Sequence, residues 1–127
     1  MTSMPVTFPS LLARGDKVAV IAPSRSFDII AEETYAIIKG RFSDLGLELA
    51  LMPHISAANK TRVPVKDRVA DLNAAFADPA IKAIICVMGG FHANDLLPFI
   101  DYEVVRRNPK IFIGFSDITA LQNTFLA

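Results

Sequence analysis

The chain has 127 residues, with 13 Lys+Arg against 13 Asp+Glu, so its formal net charge is zero and its isoelectric point lies near 6.7. That balance speaks against a basic nucleic-acid binder and against an acidic disordered tail. Hydrophobic residues make up 52% and charged residues 20%, which predicts one packed domain burying roughly two-thirds of its unfolded surface. No apolar run approaches the ~20 residues that span a bilayer, and the first ten residues lack the basic and apolar parts of a secretory signal. The single cysteine, Cys86, offers no internal disulfide, and no His/Cys/Asp/Glu cluster has metal-ligand spacing. The simplest expectation is a cytoplasmic domain with no metal, cofactor, nucleic-acid partner or membrane.

Residues 1–16 read as a leading arm that ends in a turn at Arg14-Gly15-Asp16. Lys17 to Ala22 is a short apolar run closed by Pro23-Ser24, a buried-strand signal. Ile30, Thr34, Ile37, Ile38, Arg41 and Leu45 then recur at helical spacing. Asp28 is the expected cap of this helix, Glu32 and Glu33 suit its first turn, and Gly46 suits its end. Gly40 inside it costs about 1 kcal/mol relative to alanine. Leu47 to Met52 is the next strand, ended by Pro53, and His54 to Val63 is a polar loop. A second helix runs from Pro64 to Ala77. Val65, Val69, Leu72 and Phe76 make one stripe on it, with Lys66, Asp67, Arg68 and Asp71 off that stripe. Ile81 to Met88 is a third strand running into Gly89-Gly90. Asn94 to Phe99 and Tyr102 to Asn108 are short helices divided at Asp101. Lys110 to Ile113 is a fourth strand, and Ile118, Leu121 and Phe125 are spaced for a last helix.

The order β-α-β-α-β-α-β-α, with continuously apolar strands, predicts an α/β fold: a three-layer structure with a parallel sheet and helices on both faces. Such sheets place their sites at the C-terminal ends of the strands. Three of those ends are chemically rich: Pro23-Ser24, Gly89-Gly90 and Gly114-Phe115-Ser116-Asp117.

Gly114-Phe115-Ser116-Asp117-Ile118 matches half of the G-x-S-x-G elbow that lifts a serine hydroxyl out of a sheet. The next N–H, that of Asp117, then sits at a helix N-terminus, where partial positive charge can stabilise an oxyanion. The competing reading is that Ser116 only caps the helix. Gly89-Gly90 lets backbone approach a ligand, or is a plain tight turn; it lacks the spacing and lysine of a phosphate loop. His92, two residues beyond, is a candidate base or an ordinary loop histidine, and His54 a weaker one. Cys86, among Ile84, Ile85 and Val87, reads as an inert core thiol. Arg106, Arg107 and Lys110 read as a solvated face.

The run from Met88-Gly89-Gly90-Phe91-His92-Ala93-Asn94 to Tyr102, then Asn108-Pro109-Lys110 through Gly114-Phe115-Ser116-Asp117-Ile118-Thr119, resembles the LD-carboxypeptidase family of serine peptidases. It is most similar to the branch that includes the microcin C immunity peptidase. Residues 15–24 and 67–78 fit the same pattern in the right order. Where many members of that branch read Asn-Ser-Asn, this chain has His92-Ala93-Asn94.

The resemblance implies an N-terminal α/β domain similar to class I glutamine amidotransferase and flavodoxin-like folds, spanning residues 1–127. It also implies a Ser-Glu-His triad with no metal, and Ser116 as nucleophile. Asp117 and Gly90 would form the oxyanion hole, and Gly89, Phe91, His92 and Asn94 would lie at the substrate. The implied substrate is the C-terminal D-amino acid of a muropeptide, or in the microcin branch an aminoacyl-nucleotide amide. The family's Glu and His come from a C-terminal domain expected to be absent from this chain, so the chain alone is expected to be nearly inactive. A surface left bare around Ile118, Leu121 and Phe125 is expected to favour self-association as a homodimer. A non-catalytic module that binds an anion or a partner is the rival from another class.

Overall fold

A computed structural model describes residues 5–57 and 62–126. Residues 58–61, inside the expected polar loop, lie outside the described residues, as do the first four residues of the leading arm and Ala127. Four strands, β1 (Lys17–Ile21), β2 (Glu48–Leu51), β3 (Ile81–Cys86) and β4 (Ile111–Ile113), form one sheet. Its order is β2-β1-β3-β4 and every pairing is parallel. The helices are α1 (Glu32–Asp44), α2 (Val65–Ala77), α3 (Tyr102–Arg107) and α4 (Thr119–Leu126). The three-layer parallel sheet read from the sequence is therefore the fold observed.

Strand periodicity divides the apolar side chains between two layers. Ala19, Ile21, Ile84 and Cys86 join Leu72 and Phe76 of α2 and Leu121 of α4 in the main core. Phe76, Phe112 and Phe125 close that core with ring centroids 5.1–6.0 Å apart. On the opposite face, Val20, Leu49 and Ile85 look toward Tyr35, Ile38 and Phe42 of α1.

Several expectations need correction. Asp28 does not cap α1, whose preceding residue Ala31 makes no side-chain cap. Instead Asp28 accepts from the Ser56 hydroxyl at 2.7 Å and the Ala57 N–H at 2.8 Å, binding the turn after β1 to the loop after β2. Gly46 does end α1. At φ +76° its N–H reaches Ser43 O and the Leu47 N–H reaches Phe42 O, closing the helix's last carbonyls. The two short helices expected on either side of Asp101 are present: residues 93–99 form a 3₁₀ helix, and Asp101 caps α3 by accepting from the Val104 N–H.

Lys110 is no solvated charge. Its ammonium donates to Ala75 O at 2.8 Å and Asp78 O at 2.6 Å, covering the carbonyl end of α2, where a cation is favoured. Arg68 and Asp71, read as lying off the buried stripe of α2, are both 3% exposed. Ile118 and Leu121 are wholly buried in the main core, and Phe125 packs against it. These three side chains therefore do not form the bare patch expected of them, because Phe125 packs against Phe76 of α2 and Phe112 of β4; the exposed apolar residues near them are Ile113, Phe115 and Leu126.

Candidate functional site

β4 ends at Ile113, and the chain turns sharply before entering α4. Phe115 is extended, and Ser116 follows at φ +61°, the one non-glycine with positive φ among the described residues. An L-residue in that conformation stores of order 1–3 kcal/mol and persists only where its surroundings enforce it. Two glycines make room for the turn. A Cβ on Gly114 would run into the side chain of Ile118, and one on Gly89 would lie 2.6 Å from Ser116 Cβ and 3.0 Å from Ser116 Oγ. The loop after β3 is thus pressed directly against the serine.

Ser116 is exposed, stands inside the 3₁₀ segment rather than at its cap position, which Phe115 occupies, and its hydroxyl has no partner among the described residues. The reading of Ser116 as a helix cap is therefore not what its side chain does. The Asp117 N–H stands in the first turn of the 3₁₀ segment Ser116–Ile118, where helical N–H groups lack an intrahelical acceptor.

The Asp117 side chain gathers the three strand ends. It accepts from the Gly90 N–H at 2.7 Å, the Ala93 N–H at 2.9 Å and the Ser24 hydroxyl at 2.8 Å. Burial pulls this carboxyl's pKa up, but donation from Ala93, Ser24, Gly90 and His92 outweighs that and leaves it below the ordinary aspartate value. The Gly90 N–H, expected to face an oxyanion, is thus given to Asp117.

Behind this clasp lies Arg68. Its Nε donates to Val63 O at 2.9 Å, and its Nη1 donates to Pro23 O at 2.9 Å and His92 O at 3.1 Å. The planar guanidinium spans the loops after β1 and β3 at once, which a lysine could not reproduce. Burial pulls its pKa down, while the charges of Asp95 and Asp117 push the other way.

The remaining sequence-predicted residues share the loop after β3. Phe91 is 83% exposed, Asn94 is exposed, and half-exposed His92 has its Nδ1 3.7 Å from Asp95. His54 lies elsewhere, its backbone N–H and its Nδ1 both bonded to Asp71, at 2.9 and 2.8 Å. Cys86 is buried, and burial, with the charge of Asp117 adding to it, pushes its thiol pKa far up, which suits an inert core residue. Among the described residues no group of three His, Cys, Asp or Glu could hold a metal ion, and no helix is long and apolar enough to cross a membrane.

Sequence reasoning missed Arg68 and the roles of Ser24 and the Asp117 carboxylate. Ser24 carried a signal, since it closes a buried strand at the edge where sites gather. Arg68 carried none, because its three acceptors are backbone carbonyls that any sequence possesses.

The profile of the LD-carboxypeptidase N-terminal domain matches residues 18–127. The murein tetrapeptide carboxypeptidase of Pseudomonas aeruginosa is 32% identical over 127 residues, covering 98% of this chain and 40% of that protein. Among solved structures, an MccF-like protein from Bacillus anthracis superposes with a TM-score of 0.90 at 38% identity, covering 94% of this chain and 37% of that one. The microcin C7 self-immunity protein MccF, solved in complex with aspartyl sulfamoyl adenosine, superposes with a TM-score of 0.82 at 29% identity, over 94% and 36% of the two chains. The chain thus spans no more than 40% of the length of each of these relatives.

Proposed function

This chain belongs to the LD-carboxypeptidase family, matching its N-terminal domain, and from that premise we propose that it carries the nucleophile of a serine peptidase at Ser116. The observation that carries the reading is a solvent-facing serine at φ +61°, its hydroxyl unpartnered among the described residues, against a glycine loop. Strain of this kind at an exposed polar residue has no structural benefit of its own. In the proposed reaction, Ser116 Oγ attacks an amide carbonyl, the Asp117 N–H steadies the developing oxyanion, an acyl-enzyme forms, and water releases it. The Gly90 N–H serves mainly to fix the Asp117 carboxylate, so the second donor to the oxyanion is open to the neighbouring Gly89. A serine hydroxyl needs a general base. None contacts Ser116 among the described residues, so the base is supplied from outside them, by the His and Glu that the family resemblance implies.

The proposed substrate is the amide to the C-terminal D-amino acid of a muropeptide, as the name of the Pseudomonas aeruginosa relative suggests. An aminoacyl-nucleotide amide is the second reading, favoured by the ligand in the MccF structure. The test is D-alanine release from a muramoyl tetrapeptide, measured on the longest form of the protein its gene encodes. Ser116→Ala is expected to lower turnover by about a thousand-fold or more. Turnover that survives the substitution removes Ser116 from the reaction, and no turnover by the unsubstituted protein favours the binding module.

A further inference from the structure

Beside the elbow, a cavity of about 370 Å³ is lined by Ser24, Arg25, Ser26, Ile29, Arg62 and His92. None of the six is acidic. Arg25 and Arg62 form no ion pair among the described residues, and Arg62 lies close enough to the buried Arg68 for their like charges to repel. Two guanidinium groups without a carboxylate partner thus line one concavity, while the carboxylates around it are engaged elsewhere: Asp117 with Ser24, Gly90 and Ala93, Asp28 with Ser26, Ser56 and Ala57, and Asp95 beside His92. Surface arginines usually find a carboxylate or splay into solvent, whereas these share a hollow whose other polar walls are hydroxyls and an imidazole. That is the lining an anionic ligand group requires.

The hollow also has a fixed relation to the nucleophile. The position of a Gly89 Cβ touches Ser116, while that of a Gly90 Cβ falls 2.7 Å from Ser24 Oγ and 3.1 Å from Arg25 Cγ. The glycine pair therefore has Ser116 against its first residue and the stem of Arg25 against its second. In a substrate the terminal carboxylate carbon lies three bonds beyond the carbonyl carbon that the serine attacks, with the amide nitrogen and one Cα between them.

We propose that Arg25 and Arg62 form an anion subsite that holds the negatively charged group on the leaving side of the scissile amide. This rests on the hydrolase reading of Ser116 and deepens it. The chemistry is that of anionic oxygens facing guanidinium groups, which a terminal carboxylate and a phosphoryl group both satisfy. The subsite selects substrates by the charge next to the cleaved bond, while Ser116 and Asp117 act on the bond itself.

The experiment measures binding to the Ser116→Ala protein, so that nothing is consumed, with three probes: N-acetyl-L-lysyl-D-alanine, its C-terminal amide, and AMP. The free acid is expected to bind about ten-fold or more tighter than the amide. Arg25→Gln and Arg62→Gln are each expected to reduce that preference, and the double variant to erase it, with amide binding unchanged. Both residues lie on the surface, so a thermal melt of each variant shows whether folding is intact. AMP that competes with the acid and loses its binding in the same variants supports the subsite with a phosphoryl group as its natural occupant. Equal binding of acid and amide without AMP binding, or an acid preference that persists in the double variant, overturns the proposal. Failure of the hydrolase reading shows separately, as turnover surviving Ser116→Ala with the charge preference intact.

Discussion

On one face of the sheet, Ala19, Ile21, Ile84 and Cys86 meet α2 and α4 in a continuous core where Leu72, Ile118 and Leu121 are wholly buried. On the other face Val20, Leu49 and Ile85 meet α1, which buries none of its own residues and leaves an apolar cavity of about 90 Å³ beneath Tyr35, Ile38 and Phe42. Ile113, at the end of β4, is 48% exposed. The two faces share strands and strand chemistry, yet one is packed and the other only covered. The difference shows where the site gets its rigidity. The strained turn at Ser116 runs into Ile118 and α4, so the dense face anchors the elbow, and α2 supplies Arg68 behind it. The α1 face contributes little to holding the backbone of the elbow.

The sharpest way to break this comparison is a matched pair of truncations. Leu72→Ala on the dense face is expected to cost about 2–5 kcal/mol in denaturant unfolding, as removal of a fully buried leucine does. Ile38→Ala in α1, where the side chain is only partly buried and borders the cavity, is expected to cost less, about 0.5–2 kcal/mol. Comparable losses from the two would show that the faces are energetically alike.

A smaller effect tests the clasp. Asp117→Ala leaves two N–H groups and a hydroxyl without their acceptor and is expected to cost about 1–3 kcal/mol, read in the same unfolding experiment. The acid limb follows from the same carboxylate. Because its folded pKa is lowered, its contribution is present above the unfolded value near 3.9 and fades as pH falls through the folded value. Stability of the natural protein is thus expected to drop in that acid window, and Asp117→Ala to flatten the drop. An unchanged acid limb in the variant would dissociate the clasp from stability.

The smallest effect belongs to His54, a half-exposed residue bonded to the buried Asp71 of α2. Its hydrogen bond to Asp71 is the main cause of a raised pKa, with burial opposing and the charges of Asp71 and Asp67 adding to it. A raised histidine pKa means stabilisation that is complete below the unfolded value near 6.5 and is lost as pH rises through the folded value. An NMR titration of the imidazole is expected to show its midpoint move down in Asp71→Asn. A midpoint that stays in place would remove Asp71 as the cause.

Much of this was legible in order along the chain. Apolar runs bounded by Pro, Gly and Asp marked four strands, and 3.6-residue periodicity marked α1, α2 and α4, because burial on one face leaves that imprint. The half-elbow around Ser116 and the glycine pair were visible too, since both need small residues at fixed spacing. The misread residues are polar ones with distant partners. Asp28 caps nothing and instead meets Ser56 and Ala57, Lys110 closes the end of α2, and Arg68 reaches three carbonyls. Local rules send such side chains to solvent or to the nearest helix end, and have no term for an acceptor tens of residues away.

The sequence by itself determined the layered parallel sheet and the three strand ends where chemistry gathers, because hydrophobic period and turn chemistry act over a few residues and do not depend on what lies across the fold. Only the tertiary structure decided that Ser116 stands in a left-handed conformation against Gly89, that Asp117 binds three loops through one carboxylate, and that Arg25 and Arg62 face one hollow. Those arrangements are made by contacts between segments dozens of residues apart, and a buried hydrogen bond is specified by the position of both its ends.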